Sequence, residues 1–229
     1  MLPAHLVSRL GLALAALAGL APAARAGFIV YSQPTAAYEA STTKLAVPNS
    51  GPNLGSLVSG DLTISFSAPM TPLQSGPGHF TWGRPPFVED TAPAVLYSQQ
   101  QLTRVLTFSE PLETFGLEMQ PNLTVFFPAT LTADFFSGST LVGEIRLGVR
   151  QSDARLFAAT DLDAPFTSVR LTSSPGSFGF LIGDLRAEPV PAPEPSSVAM
   201  FGLGLAGVLG YGWRRRTRRA PAKGLAPGG

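Results

Sequence analysis

The sequence predicts an all-β protein, a β-sandwich of jelly-roll type set between two terminal export signals. Three observations predict it. Between residues 27 and 188 apolar and polar residues alternate in short runs, with no sustained helical spacing. Clusters of Ser, Gly and Pro separate those runs at fairly regular intervals. Both ends of the chain, unlike the middle, combine an uncharged apolar stretch with arginine.

The clearest strand is Thr140–Arg150, TLVGEIRLGVR. Leu141, Gly143, Ile145, Leu147 and Val149 fall on one face, and Val142, Glu144, Arg146, Gly148 and Arg150 on the other. Side chains alternate across a strand, so this pattern is that of a half-buried antiparallel strand. Thr130–Phe136 puts Leu131, Ala133 and Phe135 on one face, and Ser137-Gly138-Ser139 joins the two strands as a hairpin. Further strands are expected at Asp61–Ala68, Arg104–Ser109, Thr114–Gln120, Leu123–Phe127, Arg155–Ala159, Thr167–Ser173 and Phe178–Ile182, with turns such as Ser174-Pro175-Gly176 between them. Two sheets face to face would bury the alternating Leu, Ile, Val and Phe positions.

Charge sets limits on function. The net charge of +1 is an average: residues 27–195 hold all 15 acids and eight cations, a net −7, and the other cations lie at the ends. An acidic body without a basic stripe argues against a nucleic-acid partner. There is no cysteine, which excludes thiol nucleophiles, Cys-ligated zinc and disulfides. The body is therefore held by its core, for which about 160 residues suffice.

Residues 1–26 read as a secretion signal for a Sec-type export machinery. Arg9 supplies the positive start, Leu10–Ala21 the apolar run, and Ala24-Arg25-Ala26 the small-x-small site, so cleavage falls between Ala26 and Gly27. Residues 27–188 form the ectodomain. Residues 189–196 are a proline-rich, extended spacer. Ser197–Trp213 is 17 residues without a charge, the lower limit for a bilayer-crossing helix. Arg214, Arg215, Arg216, Arg218 and Arg219 then act as a basic stop-transfer cluster, which holds 214–229 in the cytoplasm and the acidic body outside.

Val190-Pro191-Ala192-Pro193-Glu194-Pro195-Ser196-Ser197, an apolar Gly/Leu-rich span and an arginine cluster, in that order, resemble the PEP-CTERM sorting signal. The resemblance implies Pro193, Glu194 and Pro195 as the recognised motif. It also implies export in a Gram-negative bacterium, transient membrane anchoring, and processing by exosortase, a membrane cysteine protease. Such proteins are associated with extracellular polysaccharide and biofilm. The chain departs from the pattern in carrying ten further residues, 220–229, after the arginines. Phe108–Leu171 is also similar in outline to ectodomains of this group and to jelly-roll modules of the carbohydrate-binding kind.

Chemistry is harder to find. G-x-G-x-x-G occurs at Gly202–Gly207, but no strand precedes it and no acid follows Glu194, so it is no dinucleotide site. His79 is the one histidine of the mature body, and no G-x-S-x-G elbow exists to accompany it. No catalytic residue is assigned. Glu110 and Glu113 are the acid pair that a glycosidase reading would need, but spacing alone does not set their separation. Asp153, Asp161, Asp163 and Asp184 are the candidate Ca2+ ligands, with Asp161 and Asp163 able to give two oxygens from one loop; the plainer reading makes them solvated turn formers. Trp82 and Phe87, with Phe80, are the candidate sugar-stacking rings, against the alternative that they plug one end of the core. No cofactor is otherwise expected. The sequence thus predicts an exported surface or matrix protein, structural or adhesive and associated with exopolysaccharide. The rival is a secreted polysaccharide hydrolase.

Overall fold

The computed structural model describes residues 27–76, 81–122, 128–150 and 153–191. The chain divides into two units, Met1–Val190 and Pro191–Gly229, and all described strands belong to the first. They are β1 (Ile29–Tyr31), β2 (Thr43–Lys44), β3 (Leu54–Ser59), β4 (Leu62–Gln74), β5 (Ala94–Tyr97) and β6 (Thr103–Pro121), then β7 (Ala129–Ser137), β8 (Thr140–Val149), β9 (Arg155–Thr160), β10 (Phe166–Ser173) and β11 (Phe180–Pro189). One short helix, α1 (Ala36–Ser41), lies between β1 and β2. Every strand pairing is antiparallel. Among the described residues no helix is long and apolar enough to cross a membrane. The secretion signal, the Leu123–Phe127 strand, His79, Phe80, and the sorting motif, apolar span and arginine cluster all lie outside the described residues.

The sequence expects two separate strands at 104–109 and 114–120. The structure has one strand, β6, of 19 residues. Its first half pairs with β4 and β10, and its second half with β9 and β11. The 13-residue β4 behaves alike, pairing with β6 through Ile64–Phe66 and with β5 through Thr71–Gln74. These two long strands join what the sequence expects as separate sheets into one eleven-stranded network. Its apolar side chains meet in one main core, which takes Ile64 and Phe66 from β4, Phe115 and Leu117 from β6, and Phe135 from β7.

The β7–β8 hairpin forms as expected, with Gly138 in the turn at φ 60°, a backbone position natural to glycine. One residue departs from the predicted face. A bulge between Phe135 and Phe136 shifts the register, and Leu141 ends 51 % exposed while Val142 packs against the core. An extra residue in one strand of a pair exchanges the two faces beyond it.

The two halves of β6 differ in burial. From Thr103 to Pro111 exposed and buried positions largely alternate, whereas Thr114 to Pro121 are all buried. In the second half Phe115, Leu117 and Met119 enter the main core, so Gly116 and Glu118 face the opposite side, where a second layer covers them. Part of that layer is α1. Thr35 Oγ1 accepts a hydrogen bond from Tyr38 N at 3.2 Å and caps its start. The helix places Tyr38, fully buried, against Leu156 and Ala158 of β9. A side chain at Gly116 would collide with Tyr38 Oη and Ala158 Cβ. Gly116→Ala is therefore expected to lose about 2–3 kcal/mol of stability by overpacking. Chemical denaturation would measure this, and an unchanged midpoint would show that α1 does not cover the strand.

Candidate functional site

The rest of the covering layer is the segment 81–90, and it meets β6 and β11 over a cluster of charged groups. Glu118, fully buried on the outer face of β6, accepts from Trp82 Nε1 at 2.7 Å and from Glu89 N at 2.5 Å. Arg186 Nε donates to Glu89 Oε1 at 2.6 Å, and its Nη1 reaches Glu39 O and Thr42 O at 3.1 and 3.0 Å. Lys44 Nζ lies 3.3 Å from Glu89 Oε2 and also pairs with Asp184 Oδ1. Asp184 is the extra residue of a bulge in β11, held at φ 45°. The bulge lets Leu185 and Ala187 return to the core while Arg186 points outward to Glu89.

Three carboxyls face two cations here, and burial decides the balance. Burial, then the nearby Asp184 charge, pushes Glu118 from its usual 4.5 to about 9, against the opposing pull of its bond from Trp82. Glu118 is thus held protonated and adds no charge, while Glu89 and Asp184 pair with Lys44 and Arg186. Burial also raises the Asp184 carboxyl, offset in part by Lys44. Burial works against the Lys44 charge, yet its hydrogen bond and attraction to Asp184 outweigh this and raise its pKa.

Beside this cluster opens a cleft of about 480 Å³, lined by Lys44, Leu45, Val47, Gln74, Asp90 and Asp184 among others. Several of its polar groups are engaged within the protein, but the buried Asp184 Oδ2 in its wall has no hydrogen-bond partner among the described residues. Gln74 Nε2 donates to Ala92 O at 2.7 Å, Asp90 Oδ1 accepts from Ala92 N at 3.1 Å, and Lys44 is committed to its two acids.

The predicted site residues fare differently. Trp82, expected to offer its ring to a ligand, is only 2 % exposed; it packs with Val88, Val95, Ala154 and Leu181. That expectation is corrected, because the ring serves the covering layer and its one donor is bound to Glu118. Phe87 is 42 % exposed, but the Arg155 guanidinium sits 4.2 Å from its ring centroid and covers one face. Asp161 is buried, and its Oδ1 accepts from Asp163 N and Ala164 N at 3.0 and 2.9 Å, the turn-forming role of the plainer reading. Among the described residues no three His, Cys, Asp or Glu side chains are grouped to hold a metal ion. Glu110 and Glu113 fall on either side of Pro111 within β6. The sequence reading missed Glu118, Asp184 and Arg186 as a group, since nothing in their spacing shows that β6 and β11 are neighbours.

The described body is thus an antiparallel β-protein with a covered ionic cluster, followed in the chain by a tail. The family model for the PEP-CTERM protein-sorting motif matches residues 191–216, and the chain carries that motif. No curated protein matches the chain. Among solved structures it is similar to TmCBM61 in complex with beta-1,4-galactotriose, at 6% identity and TM-score 0.35, over 57% of this chain and 90% of that one. It is also similar to CBM29_1, a family 29 carbohydrate-binding module from Piromyces equi, at 11% identity and TM-score 0.29, over 70% and 88%. Both scores are too low to establish a shared fold.

Proposed function

We propose that this is an exported cell-surface or matrix protein whose jelly-roll-like body has a structural or adhesive, non-enzymatic role in association with extracellular polysaccharide. The observation that carries the reading is the sorting motif at residues 191–216. In this reading a Sec-type machinery exports the chain and cleaves it after Ala26, the apolar span 197–213 holds it in the inner membrane, and exosortase then processes the tail around Pro193-Glu194-Pro195. The body is released to the cell surface or beyond. The reading involves no cofactor.

Intact-mass spectrometry of the protein recovered from its own cells tests the reading. The expected product lacks residues 1–26 and the segment beyond the Pro-Glu-Pro motif, and the full tail persists in a strain without exosortase. Recovery of the full tail in both strains would overturn it.

A further inference from the structure

Four described non-glycine residues have positive φ, and three of them meet at one place. Gln99 (55°) and Gln100 (64°) form the turn after β5, and Phe178 (51°) ends the loop before β11. The two turns are locked together. Phe180 N donates to Ser98 Oγ at 2.9 Å, and Tyr97 Oη and Asn122 Nδ2 donate to Phe178 O at 3.2 and 3.1 Å. Gly179 fits between them only as glycine, since a Cβ there would lie 3.0 Å from the Gln100 backbone and closer still to Ser98 Oγ.

This construction holds Phe178 52 % exposed, in a backbone conformation unfavourable for a bulky side chain. The sequence places Phe178 inside a strand; the structure ends the loop with it and starts β11 at Phe180. The core gains little from a half-exposed ring, and a glycine would adopt the same φ without strain. The fold therefore maintains strain at three adjoining residues while displaying an aromatic ring, the pattern expected of a contact surface. Around it the junction carries side-chain amides and hydroxyls: Gln99, Gln100, Asn122, Tyr97 and Thr71. Arg104, which donates to Ser98 O, is only 4 % exposed.

We propose that Phe178 is the centre of a platform for a neutral polysaccharide. A pyranose ring stacks its C–H face on the phenyl ring, and the Gln100 amide, with the amide oxygens of Gln99 and Asn122, exchanges hydrogen bonds with the sugar hydroxyls; the Gln99 and Asn122 amide nitrogens are held by Thr71 Oγ1 and by Tyr97 Oη and Phe178 O. Amides both donate and accept, as hydroxyls require, and the absence of exposed charge among these residues selects against uronate polymers. The inference rests on the polysaccharide-associated reading and names its site. The cleft at Lys44 is the weaker candidate because no aromatic ring among the described residues lines it, although the buried Asp184 Oδ2 there has no hydrogen-bond partner.

The test is affinity electrophoresis of the full chain in detergent. The probes are neutral galactan and mannan, acidic alginate, and the neutral polysaccharide extracted from the producing cells. At least one neutral polymer is expected to retard the wild type, with alginate at least about tenfold weaker. Phe178→Ala should weaken binding about tenfold or more with an unchanged melting temperature, and Phe178→Trp should retain it. Binding by F178A equal to wild type would overturn the platform and leave the polysaccharide reading standing, as would a preference for alginate. Failure of the wild type to bind any of the four polymers would overturn both.

Discussion

Trp82→Ala is expected to lower folding stability by about 4 kcal/mol, read from the shift in urea midpoint. The ring is 2 % exposed and fills the space between segment 81–90 and the outer face of β11, against Val95 and Leu181. Its removal leaves a cavity and takes the Nε1 donor from Glu118 Oε2, which is fully buried. Against a total stability of about 5–15 kcal/mol this is a large fraction. Trp82→Phe separates the two effects: most of the packing stays, the donor goes, and about 1–3 kcal/mol should be lost. A W82A loss below about 1 kcal/mol would mean that the segment is not a fixed cover at all.

Stability is expected to fall as pH rises from about 5 to about 9, with Glu118 as a main cause. In the folded protein Glu118 keeps its proton up to about 9, while in the unfolded chain it loses it near the ordinary 4.5. Between those values the folded state binds more protons, so each rise in pH favours unfolding, by up to about 1.4 kcal/mol per unit for one proton. Burial raises the Asp184 carboxyl in the same direction, while Lys44, Arg186 and Glu89 surround both groups. Glu118→Gln cannot titrate. Its amide meets two N–H donors with only one acceptor, so it should be less stable than wild type at pH 5, with the gap closing toward pH 9. Parallel curves for the two proteins from urea unfolding across that range would sink the assignment of a neutral Glu118.

The periodicity of 140–150 made the β7–β8 hairpin legible, because a polar face against solvent and an apolar face against the core alternate residue by residue. The same logic located β9 and β10 and part of β4 and β6. It failed where both faces are covered. Gly116-Leu117-Glu118-Met119 gives no sign that its outer face is closed by α1 and Trp82, and neither α1 nor β1, β2, β3 and β5 was anticipated. For the proposed platform the sequence carried one usable signal, a phenylalanine enclosed in Ser174-Pro175-Gly176-Ser177 and Gly179. Turn chemistry of that kind argues for a loop, whereas the alternation reading took Phe178 into a strand.

The two kinds of information divide along a physical line. Sorting signals are read as extended or membrane-embedded segments, so their composition and order along the chain suffice; the motif at 191–216 is visible with no fold at all. Strand and turn preferences are local as well, and the all-antiparallel class followed from them. Which strands become neighbours is not local. Only the tertiary structure set β11 beside the second half of β6, brought Lys44, Glu89, Glu118, Asp184 and Arg186 into one cluster, and turned Trp82 inward and Phe178 outward. Each of those outcomes depends on contacts between residues far apart in sequence, and on burial that no single strand can specify.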